Sequence, residues 1–293
     1  SVLDDHYWLK DPRNDVRAQL ERTLTAAASA DGRGAAAPAV KTWNFAVDES
    51  TVGCVLHGRR PGLQYRVGRR RAGMEPYPVE PDGVQRPLKL LRDARPTHVV
   101  LSIGGNDARV RFLQSRDPQV ICELMVSDCI VSNLRLLIET IRRDVTPNIV
   151  LVYVYMPEFK TFPLLYFLPP ASVLKSLLVH FSKFYIEAAN EYRLPLVDLS
   201  RTFDPYNSSH YGTTPIEPSN ESGQFIADLV LRCLQDFRFG EEAETKVYSG
   251  AGDAVKVQAA GPGSGFDYEK ELEDFLEDRR HAKAKAKGWC LIS

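Results

Sequence analysis

The amino-acid sequence predicts an α/β fold with a doubly wound, mainly parallel sheet. Short apolar runs alternate with longer segments of helical periodicity, and this alternation is typical of parallel strands joined by right-handed crossovers. The runs at residues 97–103 and 148–155 lack polar alternation, which indicates strands covered on both faces. A chain of 293 residues is long enough for one such domain with an appended tail.

The individual elements follow in order from these patterns. Strands are predicted at residues 42–47, 97–103, 148–155 and 194–199. Helices are predicted at residues 15–28, 117–144, 171–192 and 219–237, and Ser219 or Asn220 is the expected N-cap of the last one. Residues 59–87 interrupt the alternation with many Arg, Gly and Pro residues. They predict a long surface loop with a short hairpin at 63–67, which is either functional or a solvated insertion.

The domain organisation is predicted from a change in composition near Val247. Residues 1–247 form the predicted globular domain, and the Gly-rich residues 248–265 are interpreted as a flexible linker. Residues 266–293 are predicted to form a charged helix and a basic tail, with acidic residues first and basic residues last, as the helix dipole favours.

Composition limits the class of protein. Hydrophobic residues make up 44% and charged residues 26% of the chain, and the net charge of -1 gives no reason to expect a nucleic-acid partner. No apolar run approaches the length of a membrane span. The five cysteines are scattered without metal-binding spacing, so we expect no metal site and a reducing, cytoplasmic location.

A polar motif directly follows the predicted strand at 97–103. It consists of Gly104, Gly105, Asn106 and Asp107. Ligands of open α/β sheets bind at the carboxyl ends of the strands, and the two glycines allow a sharp turn there. The amide of Asn106 can then donate a hydrogen bond to a developing oxyanion.

Four blocks in this order and spacing resemble the SGNH (GDSL-type) ester hydrolases over roughly residues 1–234. The blocks are Ser1-Val2-Leu3-Asp4, residues 44–51 (NFAVDEST), Gly104-Gly105-Asn106-Asp107, and Ile216-Glu217-Pro218-Ser219 followed by Gly223. The resemblance implies a three-layer α/β/α sandwich with a flavodoxin-like parallel sheet, whose first strand would precede Ser1. It also implies that Ser1 is the nucleophile, with an oxyanion hole formed by Asn106 and the backbone of Ser1, Glu49 and Gly105.

Two positions depart from the family pattern. Glu49 stands where the family has the glycine of its second block, and Thr214 and Glu217 stand where it has Asp-x-x-His. A serine needs an adjacent base to become a good nucleophile. Glu217 and His210 are the candidate bases, with Asp198 or Asp204 as a group that orients the histidine.

Two functions therefore remain open. The first is a serine hydrolase that cleaves a small or lipid-like ester or thioester through an acyl-enzyme, which the family performs without a cofactor. The second is a catalytically inactive relative that serves as a scaffold or subunit in a membrane-associated assembly. The arginines among residues 59–71 would suit an anionic substrate.

The C-terminus carries a separate signal. Cys290-Leu291-Ile292-Ser293 matches the C-a-a-X pattern for prenylation, and the Ser at the last position favours a farnesyl group. A basic run precedes it, containing Arg279, Arg280, Lys283, Lys285 and Lys287. One lipid chain together with a basic patch predicts peripheral contact with the cytoplasmic face of a membrane.

Overall fold

A five-stranded sheet forms the centre of the described part of the chain. The computed structural model describes residues 15–30, 40–45, 51–58, 81–82, 84–112, 114–115, 117–127, 130–159, 171–212 and 216–286. The strands are β1 (Val99–Ser102), β2 (Ile149–Tyr153), β3 (Leu196–Asp198), β4 (Lys246–Ser249) and β5 (Lys256–Ala259). They lie in the order β1-β2-β3-β4-β5. Strands β1 to β4 are parallel, and β5 pairs antiparallel with β4. The predicted α/β class with a mainly parallel sheet is confirmed.

Helices precede and connect the parallel strands, and one helix follows the last strand. They are α1 (Val16–Ala30), α2 (Val52–His57), α3 (Pro87–Ala94), α4 (Gly105–Phe112), α5 (Pro118–Ser127), α6 (Ile130–Asp144), α7 (Ala171–Tyr192), α8 (Asn220–Asp236) and α9 (Tyr268–Ala286). Short 3-10 turns occur at Leu199–Arg201, Ser208–His210 and Gly252–Ala254. Ser219 caps α8 by accepting a hydrogen bond from the backbone N–H of Ser222, as the sequence predicts.

The hydrophobic core divides into two clusters because successive side chains of a strand point to opposite faces. Ile149, Leu151 and Tyr153 of β2 pack in one cluster with residues of α6, α7 and α9. Val150 and Val152 pack in the other with residues of α1 and α8. All five β2 residues are fully buried, which explains the unbroken apolar run in the sequence.

Three sequence predictions need correction. Residues 42–45, the described part of the predicted strand at 42–47, have no regular secondary structure. The single helix predicted at 117–144 is two helices, since α5 ends at Ser127 and α6 begins at Ile130. The prediction of a flexible linker at 248–265 is wrong for two parts of that range. Residues 248–249 are the end of β4, and residues 256–259 form β5. The hairpin predicted at 63–67 lies outside the described residues.

The charged helix α9 packs on the domain instead of standing apart from it. Its Tyr268 and Leu272 side chains are buried. Glu271 accepts a hydrogen bond of 3.0 Å from Nη1 of Arg201, and Glu273 forms an ion pair with Lys175 of α7. Among the described residues, no helix has both the length and the apolar composition needed to cross a bilayer.

Candidate active site

The turn after β1 places Asn106 at the carboxyl end of the sheet. Gly104 has a φ of +99°, which favours glycine, and its carbonyl accepts a hydrogen bond of 3.0 Å from the N–H of Ala108. Asn106 is the second residue of α4 and is half-buried. The aromatic rings of Phe181 and Tyr185 pack against Gly104, and the Tyr185 hydroxyl donates to the carbonyl of Ile103. Helix α7 therefore supports this turn directly.

Asp107 connects the turn to a distant part of the chain. Its buried carboxylate accepts the N–H of Val52, with distances of 3.2 Å and 3.1 Å to the two oxygens. Val52 is the first residue of α2, and Thr51 is the N-cap of that helix. Thr51 is the described end of the second sequence block, and this charge-assisted hydrogen bond holds it close to the Asn106 turn.

The loop that contains His210 and Glu217 lies at the same edge of the sheet. The hydroxyl of Tyr211 donates to the carbonyl of Met156 at 2.8 Å, just beyond β2. The hydroxyl of Tyr155 donates to the carbonyl of Ile216 at 2.5 Å. A Cβ atom added at Gly105 would lie 3.3 Å from Val154. Adjacent residues just beyond the end of β2 therefore lie against the Asn106 turn (Val154) and contact the Glu217 loop (Tyr155).

The geometry of His210 fixes its neutral tautomer. Nδ1 accepts a hydrogen bond of 2.9 Å from the backbone N–H of Asp204, so Nε2 carries the proton. The ring packs between Phe203 and Phe225, at centroid distances of 6.3 Å and 5.3 Å. Burial lowers the pKa of His210, and Arg279 lowers it further, against the opposing effects of Glu221 and Asp204.

The two aspartates predicted to orient His210 behave differently. Asp204 contacts the histidine through its backbone amide, while its carboxylate accepts from the N–H of Tyr206 at 2.8 Å. The carboxylate of Asp198 is bound to Ser200 and Arg201 instead, so its predicted role beside His210 is wrong. Ser1, Glu49, Thr214 and Cys290 lie outside the described residues, and their roles stay predictions.

Sequence reasoning missed four features of this edge. Three are the contacts of Asp107, Tyr155 and Tyr211 that assemble it, and of these residues only Asp107 lies within a recognised motif. The fourth is the approach of helix α9, since Nζ of Lys283 lies 5.0 Å from the centre of the Tyr206 ring. In the part of the chain that the structure describes, no group of three or more His, Cys, Asp or Glu residues is arranged to hold a metal ion.

We expect the protein to lose stability as the pH falls below about 6.5, the ordinary histidine pKa. Because the folded-state pKa of His210 is lowered, the unfolded chain binds the proton more readily, and stability falls until the folded state is protonated too. Urea unfolding between pH 8 and pH 5 measures this loss. The variant His210→Asn can keep an acceptor for the Asp204 amide but does not titrate.

His98 serves as the comparison for this experiment, because burial also lowers its pKa. The variant His98→Gln should remove only the share that His98 contributes. An equal loss of stability in the wild type and in His210→Asn would show that His210 is not responsible.

Comparison of the chain with known proteins identifies no relative. No protein-family model matches it, and neither a curated protein nor a solved structure is similar to it at a significant level.

Proposed function

We propose that this chain has the three-layer α/β/α arrangement of the SGNH hydrolases and cleaves an ester or thioester through an acyl-enzyme. The observation that carries the proposal is the assembly at the carboxyl edge of the sheet. Just beyond β2, Val154 lies against Gly105 of the Asn106 turn, and Tyr155 donates to Ile216 of the Glu217 loop. Asp107 of the same turn accepts from the N–H of Val52. A candidate oxyanion donor, Asn106, and a candidate base, Glu217, therefore belong to segments at one edge of the sheet.

The proposed reaction begins with attack by the Ser1 hydroxyl on the substrate carbonyl. The base takes the hydroxyl proton, and the carbonyl oxygen becomes an oxyanion that accepts a hydrogen bond from the Asn106 side chain. Collapse of the tetrahedral intermediate releases the alcohol or thiol, which receives the proton. Water then attacks the acyl-enzyme by the same route, releases the acid and restores Ser1.

The hydrogen bonding of His210 favours Glu217 as the base. A neutral histidine accepts a proton only at the nitrogen that lacks one. In His210 that nitrogen is Nδ1, which already accepts from Asp204. Glu217 is held close to this edge by backbone contacts, since its carbonyl accepts from the N–H of Gly212 at 2.8 Å. A carboxylate can serve as a general base when its environment raises its pKa toward the working pH.

A fluorophosphonate probe and a short-chain p-nitrophenyl ester test the proposal. We expect covalent labelling at Ser1 that disappears in Ser1→Ala, and turnover that falls about 100-fold in Asn106→Ala because an oxyanion donor is lost. Glu217→Gln should abolish labelling, whereas His210→Asn should retain most of it. Labelled protein is digested and the modified peptide identified by mass spectrometry.

The alternative is a catalytically inactive SGNH-like scaffold. It is favoured by Thr214 and Glu217, which stand where the family has its catalytic Asp and His. In that case the probe labels neither the wild type nor Ser1→Ala between pH 6 and pH 9. The proposed prenyl group at Cys290, with the basic residues before it, would then place the scaffold at a membrane.

A further inference from the structure

Helix α9 brings positive charge to the carboxyl edge of the sheet. Its first turn lies beside the end of β3, where the hydroxyls of Tyr268 and Ser200 are 2.6 Å apart. About four turns later, Nζ of Lys283 lies 5.0 Å from the centre of the Tyr206 ring, in the same loop as His210. Between these two points the helix changes from mainly acidic to mainly basic. The half of α9 that reaches the His210 loop is therefore the basic half.

The acidic half of α9 is paired with the domain, and the basic half is not. Glu271 accepts a hydrogen bond of 3.0 Å from the buried Arg201. Within the described part of the chain, Arg279 and Lys283 form no ion pair with a carboxylate. Arg280, by contrast, pairs with a glutamate of its own helix. The acidic residues thus serve to dock α9, whereas two of its cations have no such role.

Arg279 and Lys283 lie on the face of α9 that is turned toward the domain. They are one turn apart and continue the stripe of the buried Leu272 and the half-buried Leu276. Both are half-buried, and each rests on an aromatic ring. That of Phe275 is centred 5.1 Å from the guanidinium carbon of Arg279. An aromatic ring holds a cation in place without neutralising its charge.

Two carboxylates near His210 are already stabilised by the backbone. Asp204 accepts the N–H of Tyr206 at 2.8 Å, and Glu221 lies in the first turn of α8, where the helix dipole favours a negative charge. Burial is the main cause of the lowered pKa of His210, and the charge of Arg279 contributes to it. The positive charge of α9 therefore reaches the His210 loop and remains available to a negative group from outside the protein.

We propose that Arg279 and Lys283 bind a carboxylate or phosphate group of a small molecule at the carboxyl edge of the sheet. Ligands of open α/β sheets bind at this edge, and cations bind such groups through charge-assisted hydrogen bonds. Half-buried cations that face the domain suit a small molecule better than a flat membrane surface. The proposal goes beyond the proposed function, since it holds whether the molecule is hydrolysed or only bound.

Titration of the protein with inorganic phosphate or benzoate, followed by NMR of the His210 imidazole, tests the proposal. The signal is assigned with His210→Asn, and chloride keeps the ionic strength constant. We expect a saturable shift and a rise in the pKa of His210, because a bound anion stabilises the protonated ring. Benzamide, the uncharged counterpart of benzoate, should cause no shift.

Charge variants show which residues bind the anion. The double variant Arg279→Gln with Lys283→Gln should weaken phosphate binding at least about tenfold. Lys270→Gln with Arg238→Gln is the matched control, because it removes two charges from exposed positions elsewhere, and it should bind as the wild type does. Arg279→Lys with Lys283→Arg keeps both charges and should retain most of the binding. Hydrogen exchange at Leu272 verifies that α9 stays docked in each variant.

Three results would each overturn the proposal. The first is the absence of a saturable shift, and the second is a double variant that binds phosphate no more weakly than its matched control. The third is binding to anionic lipid vesicles that requires Arg279 and Lys283 while the small anions do not bind, which would assign these cations to a membrane surface. Fluorophosphonate labelling of the same samples reports on the hydrolase proposal separately.

Discussion

Gly104→Ala should lower the free energy of unfolding by about 3 kcal/mol, the sum of backbone strain and overpacking. A Cβ atom at this position would lie 2.5 Å from Oη of Tyr185 and 2.8 Å from Cζ of Phe181. Neither ring can move freely, because both are buried and the Tyr185 hydroxyl is bound to the carbonyl of Ile103. The φ of +99° adds strain for any residue with a side chain. Urea unfolding measures the change.

Gly240→Ala separates the two contributions to this effect. Gly240 also has a positive φ, +83°, but a Cβ atom there would meet nothing within 4 Å. Its replacement should lower stability by only about 1 kcal/mol, from backbone strain alone. If the two variants are equally stable, the contact of α7 with the Asn106 turn is not as close as the structure indicates.

The same variant also bears on the proposed site. Asn106 lies two residues after Gly104, so a shift of the turn moves this proposed oxyanion donor relative to the Glu217 loop. We therefore expect Gly104→Ala to reduce labelling under conditions in which it remains folded, while Gly240→Ala should leave labelling unchanged.

The central strands could be predicted because a strand that is buried on both faces has an unbroken run of apolar residues. Strand β2 is fully buried, and its run of Val, Ile and Leu shows this without any knowledge of its neighbours. Helix α7 was predicted with both of its ends correct, since a proline precedes it and its periodicity is continuous. Strands β4 and β5 are short, and β5 is largely exposed. The pairing of β4 with β3 and of β5 with β4 stabilises them more than the strand preference of their own residues does, so the local sequence does not predict them.

The site could be predicted only in part, for a related reason. Asn106 and Glu217 belong to motifs that are local in sequence. The contact that holds α2 at the Asn106 turn joins Asp107 to a residue 55 positions away, and nothing near either residue predicts the other. The docking of α9 likewise depends on a buried arginine in the turn after β3, which the sequence shows only as one basic residue among many.

That arginine, Arg201, is expected to be among the most sensitive positions in the protein. Its Nε donates to Asp198 at 2.6 Å, and its Nη1 donates to Gln258 at 2.7 Å and Glu271 at 3.0 Å. The side chain is 3% exposed and joins β3, β5 and α9. Arg201→Met keeps much of the volume but leaves the buried Asp198 carboxylate without its cation. We expect a loss of about 3–5 kcal/mol in urea unfolding.

Two comparisons show whether the loss arises from the buried charge. Arg238 forms an ion pair with Glu241 at 3.8 Å, with side chains 80% and 73% exposed, and Arg238→Met should change stability by less than about 0.5 kcal/mol. The double variant Asp198→Asn with Arg201→Met removes both charges, while an asparagine oxygen can still accept from the N–H of Ser200. If an uncompensated carboxylate is the main cost, the double variant is more stable than Arg201→Met alone. A double variant that is no more stable would instead assign the loss to the contacts with Gln258 and Glu271, and thus to the docking of α9.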